Sequence, residues 1–139
     1  MKISASMKKV LLDEIEYALT KMKSNPEPSK KLFYFSAIYG CAMRIINIEF
    51  DPELAFIHHV TNLAYGQINA AIVAAGKPAA IVTIPEKVFE KLETAIGELK
   101  TKIEKNEKTY TVLEKIANIG YSTTGNGYYQ YLKGNLLKD

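Results

Sequence analysis

Residues 31–76 read KLFYFSAIYGCAMRIINIEFDPELAFIHHVTNLAYGQINAAIVAAG, and the architecture follows from how this stretch divides. The pivot is Asp51-Pro52. An aspartate accepts from the free amides of a helix's first turn, and a proline directly after it loses no intrahelical bond, so a helix is expected to start at Pro52. The residues before it, from about Lys31 to Phe50, are apolar on nearly every side and predict a helix of their own; Gly76-Lys77-Pro78 supplies the stop for the second. Two long helices joined by so short a turn run antiparallel. Between Leu32 and Gly76 the only formal charges are Arg44, Glu49, Asp51 and Glu53, which predicts that this hairpin is the centre of the molecule and that the rest of the chain wraps it.

Three further helices are expected around the hairpin. Met7, Leu11, Ile15, Ala18 and Met22 recur on one helical face, with Lys8, Lys9, Asp13 and Glu16 left for the other; Pro26 and Pro28 then break the chain between Ser24 and Ser29. Downstream, Ala79 to Ile84 is an apolar connector, and Thr83 with Glu86 matches a capping box around Pro85. Val88, Leu92, Ile96, Leu99 and Ile103 then define a fourth helix, on which Glu98 with Lys102 and Glu104 with Lys108 are spaced as ion pairs. A fifth takes Val112, Leu113, Ile116 and Ile119, and the weak helix formers Ser122 to Gly127 predict a break after it. The alternative is a continuous helix whose Ala117, Gly120, Thr124 and Gly127 let another backbone approach closely. The expectation is an all-α, single-domain bundle of four to five helices over residues 1–139, built around a central antiparallel helical hairpin.

Composition excludes several classes. A chain of 139 residues with 47% hydrophobic content suffices for one core, and its net charge of +3 comes from lysines that alternate with glutamates rather than forming a basic face. Nucleic acid is therefore not the expected partner. Cys41 is the single cysteine, so it forms no intramolecular disulfide and reads as a small buried hydrophobe. Met1 to Val10 has no apolar signal-peptide stretch, and Met7 as an alternative start would make the first six residues dispensable. The uncharged stretch from Leu54 to Gly76 is long enough to span a membrane, but His58, His59, Thr61, Asn62, Gln67 and Asn69 have no partners in lipid. A cytoplasmic protein with no membrane partner is expected.

One polar seam interrupts the apolar hairpin. Ser36, Gly40, Arg44 and Asn47 fall on a single arc at about 100° per residue, and Arg44 is the only arginine among 17 lysines. A planar five-donor group chosen against that background points to geometry. In an antiparallel hairpin Arg44 lies level with His58, Gly40 with Asn62 and Ser36 with Gly66, while His58, Asn62 and Asn69 share an arc with Tyr65 beside it. The first explanation is a buried hydrogen-bond network that fixes helix register. The others are a small-molecule ligand site made by Ser36, Arg44, Asn47, His58, Asn62, Tyr65 and Asn69, and a polar patch in a subunit interface.

Catalytic and metal chemistry find no support in the pattern, so no catalytic residue, metal ligand or cofactor is nominated. His58 and His59 point about 100° apart on a helix and do not chelate together, and Ala55 and Phe56 stand where a di-iron bundle needs glutamate. Cys41 and Ser36 sit in mid-helix, away from the turns and helix N-termini that activate nucleophiles. Ser122 to Gly127 lacks the lysine of a phosphate loop. Near the C-terminus, Tyr121, Tyr128, Tyr129 and Tyr131 with Lys133 and Lys138 suit base stacking, but Leu132, Leu136 and Leu137 favour packing.

Tyr34, Phe35, Ser36, Ala37, Ile38 and Tyr39 resemble the aromatic and alanine stretch that opens a helix in HEPN domains. The resemblance implies a small helical bundle that dimerises and associates with RNA. That family's ribonuclease motif places histidine four to six residues after arginine; here Arg44 is followed by Asn47, Ile48, Glu49 and Phe50, so the resemblance implies an RNA-associated protein without the nuclease. The residues themselves favour an interaction or scaffold protein, a homodimer or higher homo-oligomer, because the uncharged surface from Phe33 to Ala75 exceeds what two or three amphipathic helices cover.

Overall fold

A computed structural model describes residues 1–75 and 87–124. It contains five helices, α1 (Ala5–Ser24), α2 (Pro28–Ile46), α3 (Pro52–Ala75), α4 (Val88–Glu104) and α5 (Tyr110–Thr124), and no strand among the described residues. The all-α class and the helical bundle are as the periodicities require. The antiparallel hairpin of α2 and α3 is present, and the other helices close on it. α1 packs on α2, α2 on α3, α3 on α5, α5 on α4, and α4 returns to α1, so the helices close a ring around a shared core. α2 and α3 are the two most extensively packed helices of this ring, and each still keeps a face toward solvent.

Inward faces match the apolar spacing. Leu11, Ile15, Ala18 and Met22 of α1 are buried, as are Val88, Leu92, Ile96, Leu99 and Ile103 of α4 and Val112, Leu113 and Ile116 of α5. Helix ends follow local chemistry. Ser4 caps α1, its hydroxyl accepting from the Met7 amide. α2 begins three residues before Lys31 because Pro28 itself occupies the first turn, where its missing amide costs nothing. It ends at Ile46, earlier than Phe50, because the amides of Ile48 and Glu49 both turn back to the Ile45 carbonyl at 2.9 and 2.7 Å. Asp51 caps α3 as its position predicts: the Leu54 amide donates to Oδ1 at 3.0 Å.

Two expectations for the later helices are corrected or sharpened. The pairs Glu98–Lys102 and Glu104–Lys108 are not made. Glu98 instead accepts from Lys115 at 2.8 Å, joining α4 to α5, while Lys102 pairs with Glu107 and Glu104 with Lys100. Glu104 is the last helical residue, so Lys108 lies beyond the turn on which an i,i+4 pair depends. α5 runs on through Ser122 and Thr123 to Thr124; the rest of the expected break, Gly125 to Gly127, lies outside the described residues. Gly120 makes the close approach its lack of side chain permits, since a Cβ there would stand 2.9 Å from Ala64 Cα of α3. The capping box of Thr83 and Glu86, the connector at 79–84, and Tyr128, Tyr129, Tyr131, Lys133 and Lys138 also lie outside the described residues. Among those described, no helix is long and apolar enough to cross a membrane.

Candidate functional site

The polar seam lies at the surface. Arg44, Asn47, Asn62 and Asn69 are exposed, whereas Ser36, His58 and Tyr65 are half-buried. These last three gather around Tyr39 of α2. Its ring meets His58 at 6.3 Å and Tyr65 at 5.4 Å, both edge-on, and the Ser36 side chain, whose hydroxyl donates to the Phe33 carbonyl, lies beside its phenol. Burial first, and then the neighbouring Tyr65, push the Tyr39 phenol up from its ordinary value, with Ser36 opposing. Tyr39 was not among the candidates, although its place three residues after Ser36 puts both on one face of α2.

Arg44 departs from the enclosed network. Its guanidinium folds back along α2, with Nη1 3.8 Å from where a Cβ on Gly40 would stand, and lies beside Cys41. The Cys41 thiol is buried as expected. Burial and then the charge of Glu14 on α1 raise its pKa, and Arg44 works against them. An arginine has enough reach to leave the helix and stay hydrated, which is why an apolar helix in a ring keeps it outside rather than inside.

Around the seam the outer face of the hairpin is broad and short of charge. α3 presents Phe56, His59, Asn62, Gly66, Asn69, Ala70 and Val73 to solvent, and α2 presents Phe33, Met43, Arg44 and Asn47. Phe33 is 67% exposed. A Cβ on Gly66 would meet nothing within 4 Å. The other helices look different from outside. α1 and α4 carry ion pairs such as Lys9–Asp13 and Lys100–Glu16, and Lys115–Glu98 ties α4 to α5.

A second cluster escaped the sequence. Glu49, Asp51 and Glu53 each take hold of the N-terminal segment. Glu49 accepts from the Ser4 amide at 2.6 Å and Asp51 from the Lys2 amide at 2.8 Å. Glu53 is 3% exposed, accepts from the amide and hydroxyl of Thr109 at 2.8 Å each, and lies 3.0 Å from the Met1 ammonium. Its Oε2 makes no aligned hydrogen bond among the described residues; what it meets is charge, from Met1 and, at 3.7 Å, from Lys108. Burial raises the carboxyls of Asp51 and Glu53. The Lys2, Leu54 and Glu53 amides on Asp51, and the Met1 ammonium with Thr109 on Glu53, outweigh it and hold both below the ordinary carboxylate range. The first residues are therefore built into the fold, and Met1 and Ile3 also pack against the core. Alternation of carboxylates at 49, 51 and 53 was the available signal, but what they would bind lies 45 to 56 residues away in the chain.

No family model, curated protein or solved structure matches the chain, so the resemblance to HEPN domains stands on residues 34–39 alone.

Proposed function

We propose that the protein is a self-associating helical module whose contact surface is the outer face of α2 and α3. One observation carries this: α3 has no formally charged residue from Leu54 to Ala75, yet one face of it lies open to water along its whole length. Depletion of charge with exposed aromatic and aliphatic side chains is the composition of an interface core. Phe33, Met43, Phe56 and Val73 supply the apolar area. Gly66 and Ala70 allow close approach, and Asn62, Asn69 and Arg44 supply directional bonds. From Phe33 onward this face carries one charge, Arg44, so it meets a copy of itself with little repulsion. The polar candidates Arg44, Asn47, Asn62 and Asn69 lie open on this face instead of converging on a cavity, which favours the interface over a small-molecule site.

Gly66→Lys tests the proposal without touching the core, because nothing lies within 4 Å of the added Cβ. In the monomer, replacing a mid-helix glycine adds about 0.5 to 1 kcal/mol of stability. In an associated form, a lysine would bury an unpaired charge. Size exclusion with light scattering is expected to give a mass of at least two chains for the native protein and one chain for Gly66→Lys. A native protein that stays monomeric at every concentration, or a Gly66→Lys variant of unchanged mass, rules the surface out.

A further inference from the structure

The turn between α2 and α3 inverts the usual placement of side chains. Glu49 and Asp51 face the N-terminal segment and are bonded to Ser4 and Lys2, so the alternate residues Ile48 and Phe50 are thrown outward, each 69% exposed. The same end of the ring bears the exposed pair Phe56 and Tyr110, whose rings meet edge-on at 5.6 Å. The bonds from Lys2 to Asp51, from Thr109 to Glu53 and from Lys8 to Asn106 hold this turn, the N-terminal segment and the α4–α5 turn together. Charge is sorted across this end. Asp51 and Glu53 are buried, Glu49 is bonded to Ser4, and the exposed Glu107 is paired with Lys102, whereas Lys2, Lys105 and Lys108 are exposed, Lys108 at 3.7 Å from Glu53.

We propose that this end of the bundle docks on an anionic lipid surface, with Ile48 and Phe50 entering the headgroup layer and Lys2, Lys105 and Lys108 on lipid phosphates. Side chains that stand out from a turn suit a soft surface they can enter; a protein segment is more often received by a groove or a sheet edge. Exposed cations around apolar side chains match the negative potential of an acidic leaflet. Surface docking of this kind needs no spanning helix, so it goes beyond the expectation of no membrane partner, which rested on the lack of one. Ile48 and Phe50 lie off the α2–α3 face, and Phe56 borders both surfaces.

Flotation with phosphatidylcholine vesicles, with and without phosphatidylglycerol, tests it on the full chain. The protein is expected to float with the acidic vesicles only, and added salt is expected to release it. Phe50→Ser and Ile48→Ser each remove a side chain with no role in the core and are expected to lower partitioning about tenfold or more. Lys105→Gln is expected to lower it about fivefold. The monomeric Gly66→Lys variant is expected to float like the native chain, which separates failure here from failure of the self-association proposal. No flotation with acidic vesicles, equal flotation with neutral ones, or unchanged flotation of both serine variants overturns the inference. So does a fall in molecular mass for Phe50→Ser in the absence of lipid, which would make this end a contact between copies.

Discussion

Helix α4 and the turn leading into α3 place the same kinds of residue in opposite ways. On α4, Val88, Leu92, Ile96, Leu99 and Ile103 are buried, and Glu98, Lys100, Lys102 and Glu104 form pairs toward solvent. In the turn, Asp51 and Glu53 are buried while Ile48 and Phe50 are exposed. A carboxylate can be inside when fixed amides and a cation are already waiting there, since these replace the water it loses. The two regions therefore differ less in composition than in what the fold brings to them. The α4 pairs of Glu98, Lys100, Lys102 and Glu104 stand in solvent, one within the helix and the others to α1, α5 and the turn after it, whereas the turn into α3 draws buried partners from the N-terminal segment and from Thr109.

The largest effect expected from breaking this contrast is at Glu53. Replacing Glu53 by alanine leaves the Met1 ammonium without its buried partner and the Thr109 amide and hydroxyl without an acceptor. Loss of one member of a buried pair costs about 3 to 5 kcal/mol. Glu98→Ala, which removes a pair exposed on α4 and α5, is expected to cost about 0 to 1 kcal/mol. Urea unfolding of the two variants measures the difference directly. Equal losses would mean that the buried cluster is no more important to the fold than a surface pair.

Acid sharpens the same contrast. Glu49, Asp51 and Glu53 are all held below the ordinary carboxylate range in the folded chain. A group depressed in this way contributes stability that is complete above its unfolded value, near about 4, and is lost as pH falls through its folded value. The melting temperature is therefore expected to drop as pH falls below about 4, and Glu53→Gln is expected to start lower and fall less steeply across that window. Parallel curves for the native chain and Glu53→Gln would remove Glu53 from the acid response.

Much of the bundle was legible because its signals are local. The spacing of Leu11, Ile15, Ala18 and Met22 names the buried face of α1, and Asp51-Pro52 marks the start of α3, since both depend on residues within a few positions of each other. The ring was not legible. Low charge in α2 and α3 reads equally as burial on all sides or as a face kept for another molecule, and periodicity does not separate the two. The seam was found as a set of residues but placed at the wrong depth: Ser36, His58 and Tyr65 do meet, around Tyr39, while Arg44 lies outside. The carboxylate cluster stayed hidden because Glu53 and Thr109 become neighbours only when α3 and α5 pack.

That packing has its own test, in which one substitution is made on two sides of α3. Gly120→Ala puts a Cβ 2.9 Å from the backbone of Ala64, so the helices must separate, at a cost of about 1 to 3 kcal/mol. Gly66→Ala, on the open face of α3, meets nothing and is expected to gain about 0.5 to 1 kcal/mol in the monomer from helix propensity alone. Opposite shifts in melting temperature are the expected result. A gain from both would mean that α5 does not approach α3 at Gly120 as described.

The smallest effect is expected at Arg44, the single arginine of the chain. Enclosed in a network, it would be costly to replace, because its acceptors would be left unpaired. Exposed along α2 with Gly40 beneath it, it has solvent to fall back on. Arg44→Lys and Arg44→Met are therefore each expected to change monomer stability by no more than about 0.5 kcal/mol. Their effect is expected in the proposed self-association instead: lysine keeps the charge but loses the planar fork, so a bond that Arg44 makes across the proposed contact face would weaken in both variants, more in methionine. Measuring the unfolding midpoint and the dimer dissociation constant on the same samples separates the two roles. A stability loss beyond about 1 kcal/mol with unchanged association would return Arg44 to the interior network.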